Sequence, residues 1–489
     1  MTIEQIISQV ENTHPKADLE LVRRAYDFAC QAHGDQMRKT GEPYIQHPLH
    51  TAFILAQIRS DIPTIIAGLL HDVPEDTSTT LQDIQKEFGE EVAHLVEGIT
   101  KLSKIKYRGI ARYRESLRKM FLAMAEDLRV ILIKFADRLH NLRTLDALPP
   151  EKQKRITQET LEIYAPIAGL LGIWSMKWQM EDICFKYLYP EEYKQLEYRY
   201  EIEKKTELNQ YIEKVKKIVT EKLNKEKIPH EISGRFKHLY SIWQKMQAKD
   251  RAFNEIYDVF ALRIIVPTVA DCYKALGIVH ATWRPSYNRF KDYIAVPKPN
   301  GYRSIHTTVF GPDSQPTEFQ IRTAEMQEES VYGISAHWYY KQLRGDEKEK
   351  MPKWVQEILE IQRKATSSRA FINEVKLHIF QDRIFVFTPR GDVHDLPSGA
   401  TPVDFAYAVH SDIGNKCVSA RINHSMGALD QKLKNGDMVE IITDQNRAGP
   451  NYDWLGFVKT RRAQEKIKQY SKQSRLGSLK RFFPGFNKK

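Results

Sequence analysis

Four residues in the first third of the chain carry side chains that commonly bind metal ions: His47, His71, Asp72 and Asp137. Imidazole and carboxylate ligands together favour Mn²⁺, Fe²⁺ or Zn²⁺. Such an ion lowers the pKa of a bound water, which can then attack a phosphoester. A lone helical histidine is more often structural, and that alternative stays open for each residue taken singly. The set of four favours a hydrolytic metal site.

Two further carboxylates, Glu75 and Asp76, follow His71 and Asp72 at four-residue spacing in the run HDVPED (71–76). On a continuous helix this spacing would place each pair on one face, but Pro74 is expected to end the helix between them. The polar run directly follows the apolar IIAGLL (65–70). A His-Asp pair alone is weak evidence for a site, and the neighbouring carboxylates and apolar run strengthen it here.

A second group of charged residues, between 234 and 322, places many cations around two carboxylates, Asp258 and Glu318. The chain has no Gly-Lys dipeptide and no GxGxxG run, so side chains would have to hold a nucleotide there. Phosphoryl transfer depends on positioning and on charge neutralisation by Mg²⁺, Arg and Lys, which this group would supply. The alternative, solvated charges at strand ends, stays open. The cations are Arg235, Lys237, Lys245, Arg263, Arg289, Lys291 and Lys298.

The elements that must position these residues change type along the chain. Residues 1 to about 190 show helical periodicity throughout, and an amphipathic helix is predicted over 194–227. Strand-like runs separated by Pro and Gly then alternate with helices near Tyr240 and Tyr273, which predicts an α+β region with a mixed sheet. These runs are 259–266, 292–296, 304–310 and 318–322.

A charged helical linker and a small β-rich module complete the predicted organisation. The module has strand-like runs at 383–387 and 438–442 and a helix near 403–410. The predicted boundaries are 1–193 for the helical domain, 194–228 for a connector, 229–344 for the α+β domain, 345–379 for the linker, 380–444 for the module and 445–489 for a basic tail.

Length and composition exclude several protein classes. A chain of 489 residues is too long for one hydrophobic core, and 42% hydrophobic with 28% charged residues is typical of globular proteins. The sequence contains neither an apolar stretch long enough to span a membrane nor a secretory signal. Its four cysteines are far apart, which argues against disulfides and a zinc ribbon and favours the cytoplasm.

Nearly all of the net charge of +11 lies in residues 459–489, where eleven Lys or Arg accompany the single acid Glu465. With Tyr470 and three phenylalanines, this tail could contact RNA phosphates and bases or an anionic membrane surface. A solvated tail that only aids solubility is the alternative.

The helical region resembles the hydrolase half of the RelA/SpoT homologue family, whose bifunctional members make and destroy the alarmone (p)ppGpp. The matching segments are RK at 38–39, GEPYIQHP (41–48), HDVPEDT (71–77) and DRLHNLRT (137–144). The resemblance implies that His47, His71, Asp72 and Asp137 bind Mn²⁺ and that Glu75 and Asp76 assist the attacking water. It also implies nucleotide contacts from Arg38, Lys39, Asn141, Arg143 and Thr144.

The α+β region is similar to the synthetase half of the same family, which transfers pyrophosphate from ATP to the 3′-OH of GDP or GTP. The matching segments are YD (257–258), RFKD (289–292), PNGYRSIHT (299–307) and EFQIR (318–322). By this resemblance one Mg²⁺ binds Asp258, and Glu318 is a second ligand or the base. ATP would contact Arg235, Lys237, Lys245, Arg263, Arg289 and Lys291. The acceptor nucleotide would contact Lys298, Asn300 and His306, and its guanine would stack on Tyr302.

One segment departs from the family pattern beside these motifs. Where members usually have MHxxAExG, this chain has MQEESVYG (326–333), so Gln327, Ser330 and Val331 replace His, Ala and Glu. Loss of the usual His and Glu could weaken (p)ppGpp synthesis, or the nearby carboxylates of Glu328 or Glu329 could replace them.

Residues 387–444 resemble a TGS domain, a ubiquitin-like β-grasp fold that in this family senses the uncharged CCA end of tRNA on the ribosome. His410 matches the histidine involved, and 453–460 continue the match. Longer members of the family continue with a helical module, a zinc-binding or RNA-recognition-like module, and an ACT module. The last residues of this sequence do not resemble any of these modules. We therefore expect little ribosome-dependent activation.

The sequence therefore predicts a multidomain fold with an all-α HD-type hydrolase domain, an α+β nucleotidyltransferase-like synthetase domain and a small TGS domain. The predicted function is bifunctional (p)ppGpp synthesis and hydrolysis, with Mg²⁺ and Mn²⁺ as cofactors. Two alternatives stay open: a hydrolase whose impaired synthetase domain senses nucleotides, and an RNA- or ribosome-binding regulator. The expected partners are ATP, GDP or GTP, (p)ppGpp, and uncharged tRNA or the ribosome.

Overall fold

The computed structural model describes residues 1–103, 120, 123, 126–200, 205–249, 260–286, 289–298, 301–333, 383–434 and 436–482. The chain divides into two compact units, Met1–Ile372 and Asn373–Lys489. The predicted linker 345–379 lies outside the described residues, as do Asp258 and Asn300.

All regular elements described in the first 200 residues are helices, apart from an isolated bridge between Met37 and Pro43, which confirms the predicted all-α region. Helices α3, α4 and α7 pack against one another around its core. The helices are α1 (Ile3–Thr13), α2 (Leu19–His33), α3 (Gln46–Gln57), α4 (Ile62–Leu70), α5 (Val73–Asp76), α6 (Leu81–Ser103), α7 (Leu128–Arg143), α8 (Pro150–Glu159), α9 (Ala165–Leu170), α10 (Trp174–Leu188) and α11 (Pro190–Tyr198), with a π-helical turn at Thr160–Tyr164.

Local sequence fixes the ends of the helices that carry the metal-type residues. Helix α4 begins after Asp61, whose carboxylate accepts a hydrogen bond from the Thr64 amide, and Pro63 occupies its first turn. Helix α7 begins after Asp127, which caps it through the Arg129 amide. Because α4 is apolar on every side and seven of its nine residues are buried, it serves as a fixed core element.

A side chain caps the start of α6, and a glycine interrupts the helix. The Thr80 amide donates to Asp83 at 2.9 Å, and Gly89 has a φ of 87°. The amphipathic helix predicted over 194–227 is described as two helices, α11 and α12 (Lys205–Lys225), with 201–204 outside the described residues.

A five-stranded mixed sheet forms the α+β region, as predicted, in the order β1-β2-β5-β4-β3. Strands β2 and β5 are parallel, and the other neighbours are antiparallel. The elements are β1 (Glu231–Phe236), α13 (Leu239–Lys249), β2 (Phe260–Val266), α14 (Val269–Thr282), β3 (Lys291–Asp292), β4 (Ile305–Phe310), β5 (Pro316–Thr323) and α15 (Ala324–Tyr332).

The two faces of this sheet differ in chemistry. One face carries Phe260, Leu262, Phe319 and Ile321, which belong to a core shared with α12 and α14. Since side chains alternate along a strand, the intervening residues of β2 and β5 lie on the opposite face. There the register aligns Arg263 with Gln320 and Ala261 with Glu318, so both strands place charged or polar residues on this face.

The strand predicted at 292–296 is shorter than expected. Strand β3 ends at Asp292, whose Oδ1 accepts hydrogen bonds from the amides of Ile294 (3.0 Å) and Ala295 (2.9 Å). A side chain that binds its own downstream amides turns the backbone away from the sheet. The prediction of a longer strand was therefore wrong.

The second unit is a small β-rich module. Its elements are β6 (Arg383–Phe387), β7 (Val393–Pro397), α16 (Pro402–Val409), α17 (Ser411–Lys416), β8 (Cys417–Ile422), β9 (Ser425–Gly427), β10 (Val439–Thr443) and α18 (Arg461–Phe482). Ala463 and Ile467 of α18 are buried against Val403 and Tyr407 of α16. The first part of the basic segment is thus a packed helix of the module.

All four cysteines are free, as predicted. No helix among the described residues has the length and apolar character needed to cross a membrane.

Candidate active sites

A buried cluster in the helical region brings together the predicted metal-binding residues. His47 on α3, His71 at the end of α4 and Asp137 on α7 each direct one ligand atom to a common point, and these atoms lie within 4.8 Å of one another. Asp72 lies beside them: its Oδ2 is 3.5 Å from His47 Nε2, and its Oδ1 is 3.2 Å from His71 Nε2. The four residues that the sequence singled out therefore meet.

The imidazole of His71 is oriented for coordination. Its Nδ1 donates a hydrogen bond to the Gly68 carbonyl at 2.9 Å, because a carbonyl only accepts. In a neutral ring the Nε2 lone pair is then free, and this buried atom has no hydrogen-bond partner among the described residues. An orphaned imidazole nitrogen facing carboxylates fits a metal ion, and the donor set is the one that Mn²⁺, Fe²⁺ or Zn²⁺ prefers.

The charges around the cluster keep Asp137 ionised. Burial alone would raise its pKa, but Lys134, 2.8 Å from Oδ2, and the imidazole of His47 outweigh it and lower the pKa of Asp137 well below its usual range. Burial lowers the pKa of His47. A neutral His47 beside an ionised Asp137 matches the protonation states that a divalent cation requires of its ligands.

The carboxylates predicted to assist water lie at the mouth of the cluster. Tyr44 Oη lies 2.9 Å from Asp72 Oδ2 and 2.6 Å from Asp76 Oδ2, so it links the half-buried carboxylate to the exposed one. Glu75 is also exposed, on the same helical turn α5. The sequence analysis did not single out Tyr44, because this residue acts at the site only by holding the carboxylates of Asp72 and Asp76.

A cavity of about 480 Å³ opens beside Asp137 and is lined by several cations. Four of the five predicted nucleotide contacts line it: Arg38, Lys39, Asn141 and Thr144. Arg38 donates to Asn141 Oδ1 at 2.9 Å. The lining also includes Lys134, Arg138 and Arg155, which the sequence analysis did not single out.

The fifth predicted contact, Arg143, is not among the residues that line this cavity. Its exposed guanidinium donates instead to Gln179 on α10 at 2.6 Å. Arg143 follows Asn141 by two positions, which is about 200° around the helix, so the two side chains lie on different sides of α7. Motif position alone did not distinguish these sides.

The polar face of the sheet holds the second site, centred on Glu318 of β5. Its Oε2 accepts a hydrogen bond from Lys237 at 3.0 Å. Its Oε1 lies 3.3 Å from His306 Nδ1 and 3.2 Å from Gln320 Nε2. Burial opposes ionisation, but the hydrogen bond from His306 and the charge of Lys237 outweigh it and lower the pKa of Glu318.

The tyrosine predicted to stack on guanine lies next to this carboxylate. Tyr302 Oη is 2.7 Å from His306 Nε2 and accepts a hydrogen bond from Arg322 at 2.9 Å. The Lys298 ammonium lies 5.4 Å from the centre of the Tyr302 ring. Tyr302, His306 and Lys298 of the predicted acceptor group are thus together.

Three arginines, Arg235, Arg263 and Arg322, lie on this face of the sheet. Burial, followed by repulsion from Arg322 and Arg235, lowers the pKa of Arg263 to about 10. The Nε atoms of Arg263 and Arg322 have no hydrogen-bond partner among the described residues. Repelling cations with unused donors form a site suited to a polyanion.

The remaining predicted cations differ in exposure. Arg289 and Lys291 are exposed, whereas Lys245 on α13 is half-buried. The positions of Asp258 and Asn300 lie outside the described residues.

The unusual segment 326–333 forms most of α15. Glu329 pairs with Arg303, the residue after Tyr302, while Glu328 pairs with Arg59 of the helical region at 2.9 Å. Gln327 Oε1 is buried without a hydrogen-bond partner among the described residues. The two glutamates thus serve different regions.

Helix α10 contacts both regions. Its Ser175 hydroxyl donates to the Val331 carbonyl at 3.2 Å, and its Asp182 accepts from the Tyr240 amide at 2.9 Å. At its start, Gly172 and Gly333 approach so closely that a Cβ on Gly333 would lie 2.6 Å from the Gly172 carbonyl carbon. The helical and α+β regions therefore meet through backbone as well as side chains.

In the second unit, His410 lies at the start of α17 with an exposed side chain. Its Nδ1 accepts a hydrogen bond from the Asp412 amide at 3.2 Å.

Three family models match the chain. The model of the HD domain matches residues 25–174, the model described as a region found in RelA / SpoT proteins matches 234–345, and the TGS domain matches 384–443. These matches confirm the three predicted domain types.

Curated relatives match nearly the whole chain. The GTP pyrophosphokinase of Myxococcus xanthus is 47% identical over 98% of this chain and 65% of its own length. The bifunctional (p)ppGpp synthase/hydrolase SpoT of Escherichia coli is 46% identical over 96% of this chain and 68% of its own length. The chain thus spans about two thirds of the length of these curated relatives.

Solved structures match single portions of the chain. One, titled for a metazoan ortholog of SpoT that hydrolyses ppGpp, is 26% identical and covers 33% of this chain and 92% of that one, with a TM-score of 0.28. The small alarmone synthetase 1 of Bacillus subtilis with bound pppGpp is 24% identical and covers 35% of this chain and 100% of that one, with a TM-score of 0.24.

Proposed function

Since the chain belongs to the RelA/SpoT family, we propose that it both hydrolyses and synthesises (p)ppGpp. The helical region would remove the 3′-pyrophosphate, and the α+β region would transfer pyrophosphate from ATP to the 3′-OH of GDP or GTP. The observation that carries this proposal is the presence of two separate sites. One is an orphaned histidine beside a cationic cavity, and the other is an ionised glutamate beside three arginines.

In the hydrolase site, Mn²⁺ would be held by His47, His71, Asp72 and Asp137. The bound ion would activate water and offset phosphate charge. Lys134 and Asn141 hold the Asp137 carboxylate in place, and donors behind a ligand of this kind fix its orientation.

Glu75 and Asp76 would accept the proton of the attacking water. Tyr44 ties Asp76 to the buried cluster, which keeps this carboxylate close to the reacting phosphate. The cavity would hold the nucleotide through Arg38, Lys39, Asn141 and Thr144. Arg143, which does not line this cavity, stays a predicted contact.

In the synthetase site, Glu318 would accept the proton of the acceptor 3′-OH. The Lys237 charge lowers the pKa of Glu318 in the free protein. ATP phosphates would draw Lys237 away from the carboxylate, which raises its basicity when the donor is bound. Binding of the donor would thus prepare the base.

The remaining roles follow the polar face of the sheet. Mg²⁺ at Asp258 would shield the transferred phosphates. ATP would contact Arg235, Lys237, Lys245, Arg263, Arg289 and Lys291. The acceptor would contact Lys298, Asn300 and His306 and stack on Tyr302.

The TGS domain and the basic segment after it would bind uncharged tRNA or the ribosome. Support comes from the exposed His410 and from the concentration of cations after residue 458. RNA binding that weakens with added salt is expected, and an affinity indifferent to salt would contradict it.

The experiment that tests the proposal follows transfer of label from γ-labelled ATP to GDP in Mg²⁺, with Mn²⁺ withheld so that hydrolysis does not remove the product. Labelled ppGpp is expected, followed by its loss once Mn²⁺ is added. Cleavage of ppGpp without any synthesis would favour the alternative of a hydrolase with an impaired synthetase domain. RNA binding without either reaction would favour a regulator.

A further inference from the structure

Arg322 is a fully buried cation on the central strand β5 that is not among the predicted nucleotide contacts. Its exposed fraction is 0%, and it is the largest fully buried side chain among the described residues. Its hydrogen bonds to side chains of the described residues go to a tyrosine and a glutamine. Burying a guanidinium costs several kcal/mol, and an apolar residue of similar size would be cheaper. A role in the site therefore has to account for it.

Two hydrogen bonds from the same nitrogen of Arg322 lead toward Glu318 by different routes. NH2 donates to Tyr302 Oη at 2.9 Å and to Gln320 Oε1 at 2.9 Å. Tyr302 then contacts His306 Nε2, and His306 Nδ1 contacts Glu318 Oε1. Gln320 Nε2 donates to the same Oε1 at 3.2 Å.

The direction of each bond follows from the chemistry of the two ends. Arginine only donates, so the Gln320 oxygen faces it and the amide nitrogen faces Glu318. An ionised carboxylate only accepts, so His306 Nδ1 carries a proton. In a neutral ring Nε2 then accepts, and the one proton of Tyr302 is donated to it.

Both routes therefore deliver a donor to Oε1 of Glu318. The other oxygen, Oε2, is held only by Lys237 among its described hydrogen-bond partners, and Lys237 is the cation that ATP would recruit. Once Lys237 turns to the donor phosphates, Oε2 becomes the more basic and more accessible oxygen.

We propose that Arg322 is a positioning residue that fixes Glu318 through Oε1 and so leaves Oε2 as the atom that accepts the 3′-OH proton. This inference rests on the proposed synthetase function. It adds the identity of the reacting oxygen and two intermediaries, Tyr302 and Gln320.

The test is a mutant cycle on the full chain. Tyr302→Phe and Gln320→Met each remove one route, and Arg322→Met removes both. We expect Arg322→Met to lower kcat for synthesis about tenfold, within the range of coupled neighbours. The acidic limb of the pH profile should move to higher pH, because a carboxylate that loses donors becomes harder to ionise. In the Tyr302→Phe, Gln320→Met background, Arg322→Met should change kcat less than about twofold.

The full tenfold loss in that background, or an unmoved pH profile, would overturn the proposal in favour of a purely structural role. Hydrolysis of ppGpp by the same polypeptide reports on folding. If Arg322→Met does not fold, Arg322→Lys keeps one nitrogen that can donate to both Tyr302 and Gln320, and it should retain most of the wild-type kcat. A large loss of kcat that is equal in the parent and in the Tyr302→Phe, Gln320→Met background would overturn the proposal.

Failure of the synthetase proposal is distinguishable, since the wild type would then form no labelled product. In that case the affinity of the wild type and of each variant for a fluorescent GDP analogue is measured instead of kcat. Loss of affinity on Arg322→Met only where Tyr302 and Gln320 are intact would still support the positioning role, and equal loss in both backgrounds would reject it.

Discussion

Glu329 forms a two-oxygen ion pair with Arg303: the arginine NH2 lies 2.9 Å from each carboxylate oxygen, and its Nε lies 3.2 Å from one of them. Arg303 follows Tyr302 in the chain, so the pair anchors the loop that carries the predicted guanine contact. A carboxylate from the unusual segment 326–333 thus reaches the synthetase site.

We therefore expect the natural segment to support synthesis. Glu329→Gln should lower kcat/KM for GDP about tenfold, since it breaks a partly buried charge pair. Glu325→Gln on the exposed first turn of α15 is the matched control and should have no effect. Steady-state transfer of label to GDP measures both.

Restoring the common family residues should matter less than removing Glu329. Gln327→His with Val331→Glu should change the rate of synthesis less than about threefold, because the anchoring carboxylate is already present. Synthesis that appears only in this double variant would instead support the impaired-synthetase alternative.

Removing the orphaned imidazole should separate the two activities. His71→Ala should lower Mn²⁺-dependent hydrolysis at least about 100-fold, while synthesis in Mg²⁺ stays within about twofold. His94→Ala, an exposed histidine of α6, is the control. Calorimetric titration of Mn²⁺ checks the cause, and metal binding that survives in His71→Ala would place the ion elsewhere.

The base proposed for synthesis gives the reciprocal result. Glu318→Gln should reduce pyrophosphate transfer by about 100-fold or more, the usual contribution of a general base, and should leave hydrolysis intact. The amide keeps the size of the side chain and the chance to bond His306. Single-turnover transfer is the measurement, and a rate within tenfold of wild type would remove Glu318 from the chemistry.

The contact between Arg59 and Glu328 predicts communication between the sites. Running both reactions at once would waste nucleotide, so a non-hydrolysable ATP analogue with GDP should slow hydrolysis in the wild type. Arg59 also lies 4.8 Å from the centre of the Tyr332 ring, so two residues of α15 depend on it.

Arg59→Ala should weaken this inhibition about threefold or more, the range of coupling energies carried by such contacts. Arg24→Ala removes an exposed surface ion pair and is the control. Hydrolysis rates that ignore the nucleotides in the wild type would show that the sites are independent.

The contact between Glu181 of α10 and His238 of the α+β region should stabilise the fold less at low pH. Burial opposes ionisation of Glu181, but His238 and Lys177 lower the pKa of its carboxyl. A carboxyl whose pKa is lower in the folded state stabilises the fold above its unfolded pKa, and this contribution is lost as the pH falls through the folded pKa.

Glu181→Gln should therefore lower the melting temperature at pH 7, by an amount equivalent to about 3 kcal/mol for a broken buried pair. The difference from wild type should shrink as the pH falls below about 4. A difference that is the same at pH 7 and pH 3 would show that charge is not the cause. Scanning calorimetry at both pH values measures it.

Residue types and spacing predicted the His47, His71 and Asp137 cluster because each of these side chains acts directly at the site. The same reasoning missed Tyr44, Lys134 and Arg322, whose contributions pass through a neighbour that only the fold supplies. A motif also cannot show which side of a helix a residue occupies, which is why Arg143 was grouped with Asn141.

Strand prediction failed where a side chain competed with the sheet. The apolar residues after Asp292 suit a strand, yet the Asp292 carboxylate captures the next two free amides and turns the chain. The roles of Asp258 and Asn300, outside the described residues, stay predictions.

The approach of Gly172 to Gly333 sets a condition on protein engineering. Both residues have positive φ, 74° and 56°. A Cβ on Gly333 would clash with the backbone of Gly172, and one on Gly172 would make a tight 3.2 Å contact with Gly333 Cα. A synthetase region transplanted from another protein would seat on α10 only with glycine at the position of Gly333. Chimeras that swap one catalytic half should therefore be designed around this pair of glycines before any catalytic residue is considered.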